Sequence, residues 1–334
     1  MARGLSVHAA LLVVAAGASA YVWTRDKAAA ATAASDVLVW PERPEDLQQI
    51  AFESNGHKVV LEAQSDAHGR WFQGTAETPP PALPDAGAPD AGPRNDATPK
   101  TSRFVSVSAA QKIASGLAPL KAFREIGRVD DARAKEFGFQ ETPATLVAKF
   151  GGRERRLFVG GPTPGGADRY VREAGSGYVY AVKGEVFREL DGGEPALVEH
   201  DPHGFEDAAL GGAVIRAKGK TREALRRGPP GKRIWSDPAS PDQADETLAN
   251  WFGKVDRLRA IEYVADAPAG SEPIVRIDYK VKGETGDFLE LVKGPGTTAG
   301  KPDYFMRTER TRSWTKVYGA PGEQVDQDVG SVVK

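Results

Sequence analysis

The sequence contains no cysteine and no clear excess of charge of either sign. The missing cysteines exclude disulfides, thiolate metal sites, cysteine nucleophiles and a lipid-modified N-terminal cysteine. The 44 Lys and Arg residues are balanced by 46 Asp and Glu residues. A general nucleic-acid-binding protein carries a basic excess, so this balance argues against that class. The 334 residues suffice for two domains, and the 40% hydrophobic fraction allows each of them a core.

The N-terminus carries an apolar run, residues 5–23, that has no formally charged side chain. A helix of this length spans the hydrocarbon core of a bilayer, so we predict a transmembrane anchor there, followed by a small-residue tether at 24–35. The triplet Ala18-Ser19-Ala20 also resembles a signal-peptide cleavage site, which leaves a cleaved signal as the alternative. In both cases we expect the remaining chain to lie across the membrane.

Two parts of the chain repeat the same order of elements. The pair Asn55-Gly56 between two apolar runs predicts a β-hairpin. A matching hairpin is expected at 213–225, where Ile215 lies 163 positions after Phe52.

Further along, the repeat includes helices and final strands. Ser-x-x-Gln patterns at 108–111 and 240–243 predict helices that begin with capping boxes. The stretches 168–182 and 303–317 predict equivalent final strand pairs. Trp71 and Trp235 are expected to be equivalent core residues, each closing a short strand.

These patterns predict an α+β fold of two tandem duplicated units, each an antiparallel β-sheet with a packed helix, after the N-terminal transmembrane helix. The first unit is expected at 36–195 and the second at 196–320, followed by a flexible tail at 321–334. Residues 76–100 contain seven prolines and predict an extended, disordered loop inside the first unit.

Two clusters of side chains could bind a ligand. His200 and His203 stand among carboxylates and are weak candidates for a metal site, against which a polar loop is the plainer interpretation. A basic cluster around a Gly-Pro-Pro-Gly turn could contact anionic lipid or an acidic partner, or could be a solvated hairpin tip. It consists of Arg222, Arg226, Arg227, Lys232 and Arg233.

No catalytic constellation is recognisable. Ser176 lacks the glycines two residues before and two residues after it that a nucleophile elbow has. Gly300-Lys301 lacks the preceding glycine and the following hydroxyl residue of a phosphate loop. We therefore expect a protein that is not an enzyme and that needs no cofactor or identifiable small-molecule substrate.

The chain resembles the bacterial family called domain of unknown function 4340. The resemblance rests on the N-terminal apolar run and on the stretches "IAFESNGHKVVLE", "LAPLKAFREI", "EFGFQETPATLVAKF" and "LFVGGPTPGGADRYVREAGSGYVYAV". It covers 37–190 well and 196–317 more loosely, and the Pro-rich loop departs from it. The resemblance implies an anchored, extracytoplasmic partner of ABC-type export or gliding-motility transporters, and it implies no catalytic residues.

We accordingly expect a single-pass protein of the bacterial inner membrane that serves as an accessory or scaffold subunit of a transporter complex. The alternative is a module that binds polysaccharide or peptide of the cell envelope. Both functions follow from a sheet edge or a groove between the repeats that could receive a partner.

Overall fold

The computed structural model describes residues 36–79, 99–139, 143–229, 231–298 and 300–333. The predicted anchor at 5–23 and the tether at 24–35 lie outside this described part of the chain. Among the described residues, no helix combines the length and the hydrophobicity required to cross a bilayer.

In the described part of the chain, ten antiparallel strands form the first sheet, in the order β1-β6-β10-β9-β8-β7-β2-β3-β4-β5. Their bounds are β1 Val37–Trp40, β2 Leu47–Ser54, β3 His57–Asp66, β4 Gly69–Thr78, β5 Lys100–Ser106, β6 Leu120–Arg128, β7 Ala144–Phe150, β8 Arg153–Pro162, β9 Arg169–Glu173 and β10 Tyr178–Val182.

Eight further antiparallel strands among the described residues form the second sheet, in the order β13-β12-β11-β15-β16-β17-β18-β14. Their bounds are β11 Leu210–Ala217, β12 Lys220–Arg227, β13 Ile234–Ser236, β14 Ala260–Val264, β15 Glu272–Val281, β16 Glu284–Gly294, β17 Asp303–Thr308 and β18 Trp314–Val317.

Short α-helices accompany the sheets. The described ranges contain α1 Ser108–Leu117, α2 Asp131–Ala134, α3 Glu185–Asp191, α4 Glu194–Leu197, α5 Glu246–Val255 and α6 Gly319–Val332. They also contain 3₁₀ turns at Pro44–Asp46, Lys135–Phe137 and Asp207–Ala209. The predicted α+β class, with antiparallel sheets and few helices, is confirmed.

The two sheets follow one strand order. Reading β6, β10, β9, β8, β7, β2, β3, β4 across the first sheet corresponds to reading β14, β18, β17, β16, β15, β11, β12, β13 across the second. The additional strands β1 and β5 lie at the two edges of the first sheet.

The first hairpin of each sheet has the turn that the sequence predicts. Asn55 and Gly56 have φ angles of 51° and 78°, and Lys218 and Gly219 have 51° and 74°. Two consecutive residues with positive φ are typical of a type I′ turn, whose twist matches the flanking strands. Gly56 and Gly219 tolerate this geometry because they have no Cβ.

An arginine ties the start of each sheet in the same way. The Arg70 guanidinium donates to the carbonyl oxygens of Pro44 and Leu47. Arg233, 163 positions later, donates to the carbonyls of Asp207 and Leu210, which are displaced by the same 163 positions. The planar fork of a guanidinium can donate to two carbonyl oxygens at once, so each arginine connects both ends of a 3₁₀ turn.

Helices cover one face of each sheet and complete its core. Ile113 and Leu117 of α1 pack with Phe187 of α3 in the first core. In the second core, Trp251 of α5 is buried and its indole N–H donates to the carbonyl of Val325 on α6, at 3.2 Å.

Helix α6 corrects the prediction of a flexible tail at 321–334. Val325, Val329 and Val332 are fully buried in the second core. Their spacing places them on one face of a helix, and burial of that face stabilises a segment whose Gly and Pro content disfavours helix.

Further boundaries differ from the predictions. Helix α5, which was predicted to begin with a capping box at Ser240, begins at Glu246. The Asp245 carboxylate caps it by accepting from the Leu248 N–H at 3.0 Å. The predicted Pro-rich loop at 76–100 is shorter, since β4 continues to Thr78 and β5 starts at Lys100. Its residues 80–98 lie outside the described ranges.

The prediction that paired Trp71 with Trp235 is one residue out of register. Phe72 lies opposite Ala63, and Trp235 lies opposite Arg226, so the two hairpins align Phe72 with Trp235. Phe72 is buried, and Trp235 is buried against the ring of Phe252 at a centroid distance of 3.7 Å. Trp71 is only half-buried and points to the other face of its strand.

Candidate binding cleft between the two sheets

A cleft of about 940 Å³ lies where loops of the two sheets meet. Its walls come from the β3–β4 turn, the start of α1, the segment that precedes β11, and the β15–β16 and β17–β18 turns. The side chains that matter for its chemistry are His68, Gln111, Glu206, Lys282, Asp287, Glu309, Arg310 and Arg312. Both signs of charge are therefore present, which suits a polar ligand or a peptide more than a simple anion.

The segment that links the sheets forms hydrogen bonds with both of them. The Glu199 N–H donates to the carbonyl of Val105 on β5, at 2.8 Å. One residue later, the carbonyl of His200 accepts from the N–H of Ala260 on β14, at 3.3 Å. The Tyr263 hydroxyl donates to the Glu199 carbonyl at 2.8 Å. The linking segment thus bridges an edge of each sheet.

A buried ion pair reinforces this bridge. The Glu199 carboxylate is only 4% exposed, and its Oε2 lies 3.1 Å from Nη2 of Arg310 on the β17–β18 turn. The same oxygen accepts from the backbone N–H and the hydroxyl of Ser108, both at 3.0 Å. A buried carboxylate is tolerated only when it is paired and hydrogen-bonded in this way.

The prediction of a capping box at 108–111 is wrong. Helix α1 does begin at Ser108, but no side chain caps its first turn locally. A carboxylate from the linking segment instead binds the N–H at the start of the helix, where negative charge is favoured. Residues 91 positions apart make this contact, so no local sequence pattern could reveal it.

A second ion pair crosses the cleft from one sheet to the other. Arg312 donates through Nε to Oδ2 of Asp66 at 2.9 Å and through Nη2 to Oδ1 at 3.2 Å. This bidentate bond lowers the pKa of Asp66, and the guanidinium lies 5.6 Å from the centroid of the Trp71 ring. Trp71 therefore lies beside the contact between the sheets rather than in either core.

The two predicted metal-binding histidines are held in separate contacts. His200 Nδ1 lies 2.7 Å from the Ala260 carbonyl, whereas His203 Nδ1 lies 2.9 Å from Oε1 of Glu309. The His203 ring also packs against Phe205 and Tyr279, with centroids 4.7 and 4.6 Å away. Within the described residues, no group of three or more His, Asp or Glu side chains is arranged to hold a metal ion.

Asp287 is a carboxyl of the cleft whose pKa is shifted. Burial raises its pKa, and the neighbouring Glu309 carboxylate raises it further, while His203 and His68 oppose the rise. His68 Nδ1 lies 3.9 Å from Oδ1 of Asp287, so the two sheets contribute one partner each. His68 and Asp287 can each form a hydrogen bond with a ligand that enters the cleft, or transfer a proton to or from it.

The predicted basic cluster is not one surface. Arg222 points to the helix side of its sheet, where it contacts Asp245 at 2.6 Å and donates to the carbonyl of Val332 at 2.9 Å. It therefore ties α5 and α6 to the second sheet.

The other members of the cluster divide into two groups. Arg226 donates to Asp207 at 2.9 Å, and Arg233 is held by the backbone carbonyls described above. Arg227 and Lys232 are exposed. The predicted contact with lipid or with an acidic partner remains a prediction, and these two side chains are best placed to make it.

Sequence reasoning did not identify Glu199 as a connector or Arg310, Arg312 and Asp287 as cleft residues. Arg310 and Arg312 belong to the second of the two stretches that suggested the repeat, where they were expected to occupy a generic turn. The available signal was that this turn, Thr308–Ser313, carries several charges, whereas its counterpart in the first unit, Ala174–Gly177, carries none.

A comparison with family models gives a match that includes part of the cleft lining. The model described as domain of unknown function (DUF4340) matches residues 105–273, half of the 334-residue chain. The match includes Ser108, Glu199 and the start of the second sheet. No curated protein and no solved structure matches the chain. The chain belongs to the DUF4340 family.

Proposed function

We propose that this protein is a membrane-anchored, extracytoplasmic accessory or scaffold subunit of an ABC-type transporter complex of the export or gliding kind. Its role is to present fixed surfaces to the transporter subunits rather than to catalyse a reaction. In this proposal residues 5–23 hold the chain in the bacterial inner membrane, and the sheets lie in the periplasm.

The proposal includes an origin by internal duplication. The shared strand order supports it, and so do the arginines Arg70 and Arg233, whose carbonyl partners are displaced by the same 163 positions. The first copy has gained β5 at one edge, and β5 provides the edge on which the second copy is held.

The observation that carries the proposal is the connection between the sheets. Glu199 and His200 bridge β5 and β14 by backbone hydrogen bonds, and the Glu199–Arg310 and Asp66–Arg312 pairs close the junction on either side. A subunit that aligns other proteins needs two binding surfaces at a fixed distance and angle. The junction supports this role because it holds the two sheets in one arrangement.

Purification of the full chain from its native membranes in a mild detergent tests the proposal. We expect permease or ATPase subunits of a transporter to co-purify in a constant ratio. Recovery of the protein alone, even after gentle crosslinking, would contradict the accessory role.

The cleft favours a second candidate, a module that binds polysaccharide or peptide of the cell envelope. Its volume of about 940 Å³ and its mixture of charges suit an extended polar ligand. Binding of cell-wall fragments that is weakened by Asp287→Asn but not by Glu272→Gln, an exposed control outside the cleft lining, would support this candidate. Equal binding by both variants would argue against it.

A further inference from the structure

Strand β1 forms one edge of the first sheet. In the described part of the chain it pairs only with β6, with Val37 opposite Ala122 and Leu38 opposite Lys121. Val37 and Val39 pack toward the core, whereas Leu38 is 56% exposed. An edge strand with an exposed apolar side chain is a template for pairing with another chain.

The second sheet has a segment in the position that corresponds to β1. His200 lies 163 positions after Val37, and Ala260 lies 138 positions after Ala122, as β14 does relative to β6. The Ala260 N–H donates to the His200 carbonyl, so His200 stands against β14 as Val37 stands against β6.

The outer side of that corresponding segment is occupied within this protein. The N–H of Glu199 points away from β14 and donates to the Val105 carbonyl on the edge strand β5. In the second unit this position therefore binds the edge of another strand. In the first sheet, Asp36 corresponds to Glu199, and neither Asp36 nor the outer edge of β1 has a strand beside it among the described residues.

We propose that the β1 edge, residues 36–40, binds an extended segment of a transporter subunit by strand addition. This inference rests on the proposed function and assigns it a contact surface. Val37 corresponds to His200, whose carbonyl faces β14, and backbone amides alternate in direction along a strand. By this correspondence the N–H groups of Asp36 and Leu38 face outward, where carbonyl oxygens of a partner strand can accept from them. An apolar side chain of the partner segment packs on Leu38.

The position of β1 in the chain restricts the partner to the neighbourhood of the membrane. Thirteen residues, 24–36, separate the proposed anchor from β1, and they span at most about 45 Å when fully extended. The partner segment consequently belongs to a protein whose extracytoplasmic part begins close to the bilayer, as that of a permease does.

The test uses the full chain in its native membranes with a photo-crosslinking amino acid at position 36. Leu38→Pro removes an outward N–H without removing a hydrogen bond to β6, and Leu38→Lys keeps the N–H but adds a charge that opposes edge pairing. Leu38→Ala keeps the N–H and is the matched control.

We expect the crosslinked peptide to map to an extended segment of a transporter subunit. The yield should fall at least about tenfold in Leu38→Pro and Leu38→Lys, and less than about threefold in Leu38→Ala. If Leu38→Pro disturbs the folding of β1, the Leu38→Lys variant still tests the inference, because it keeps the backbone N–H.

Three results would overturn the inference: crosslinking to a second copy of this chain, a yield that none of the variants changes, or no crosslink at position 36. If the transporter subunits still co-purify in those cases, only the contact surface is wrong. If they do not co-purify with the unmodified chain, the proposed function fails as well.

Discussion

Arg310 and Glu199 meet at the junction of the two sheets, with Nη2 and Oε2 3.1 Å apart. Glu199 belongs to the linking segment, and Arg310 to the turn between the last two strands of the second sheet. Because the Ser108 N–H binds the same carboxylate oxygen, one buried charge connects the linking segment, a helix of the first sheet and a turn of the second.

Removal of Arg310 should destabilise the whole junction. Arg310→Met leaves the Glu199 carboxylate buried without its cation, and we expect the free energy of unfolding to fall by about 3–5 kcal/mol. Glu199→Gln keeps the acceptor oxygen for Ser108 and should cost less. Urea denaturation followed by tryptophan fluorescence measures both. An unchanged midpoint for Arg310→Met would show that the pair does not hold the sheets together.

The arginines that tie the start of each sheet should not be replaceable by lysine. Lysine keeps the charge but offers a point donor instead of a planar fork, so Arg70→Lys and Arg233→Lys each lose a charge-assisted bond to a carbonyl. We expect losses of about 1.5–3 kcal/mol in the free energy of unfolding. Arg103→Lys, on the exposed face of β5, is the control and should be neutral. Similar effects at all three positions would argue against equivalent structural roles for Arg70 and Arg233.

Asp287 should give the stability of the protein a pH dependence of defined sign. Burial raises its pKa in the folded state above the ordinary value of 3.8, so the folded chain retains a proton that the unfolded chain has released. The stability contribution is therefore present at low pH and is lost as the pH rises through the raised pKa. Asp287→Asn should flatten this decline in urea titrations run at a series of pH values from about pH 4 upward.

The exposed Glu284 lies three residues before Asp287 at the start of β16 and provides the matched control. Glu284→Gln should leave the decline in place. An Asp287→Asn variant with the same slope as the unmodified protein would mean that the Asp287 carboxyl is not buried as the structure has it.

Residues of the basic cluster should separate into structural and surface groups. Arg226→Gln loses its bonds to Asp207 and to the Arg233 carbonyl and should lower the thermal unfolding midpoint. The double variant of the exposed Arg227 and Lys232 to Gln should leave this midpoint unchanged. If the cluster contacts membranes, only that double variant should reduce binding of a chain that begins at Asp36 to anionic vesicles. Equal vesicle binding by all variants would exclude the lipid contact.

The sequence allowed much of the sheet architecture to be predicted because the relevant signals are local. Asn55-Gly56 specifies a tight turn through backbone conformations that few residues adopt, and the alternating apolar residues of the flanking strands face the core. The repeated spacing then placed the hairpin at 213–225 from the same argument.

The junction could not be predicted because its contacts join residues that are far apart in the chain. The local sequence around Ser108 is typical of a capping residue, but the Glu199 carboxylate, 91 positions later in the chain, accepts from the Ser108 N–H. The sequence of helix α6 predicts a flexible tail because Gly319, Pro321 and Gly322 are poor helix formers. Only packing of Val325 and Val329 against the second sheet reveals its structure.

The central claim is that this chain works as an accessory subunit bound to a membrane transporter. Crosslinking of the full-length protein in its native membranes, followed by mass spectrometric identification of the attached peptides, tests it most directly. The account predicts peptides from a permease or ATPase-associated subunit, attached near the junction or the β1 edge. Attachment to cell-wall material alone, or to nothing, would contradict the accessory role.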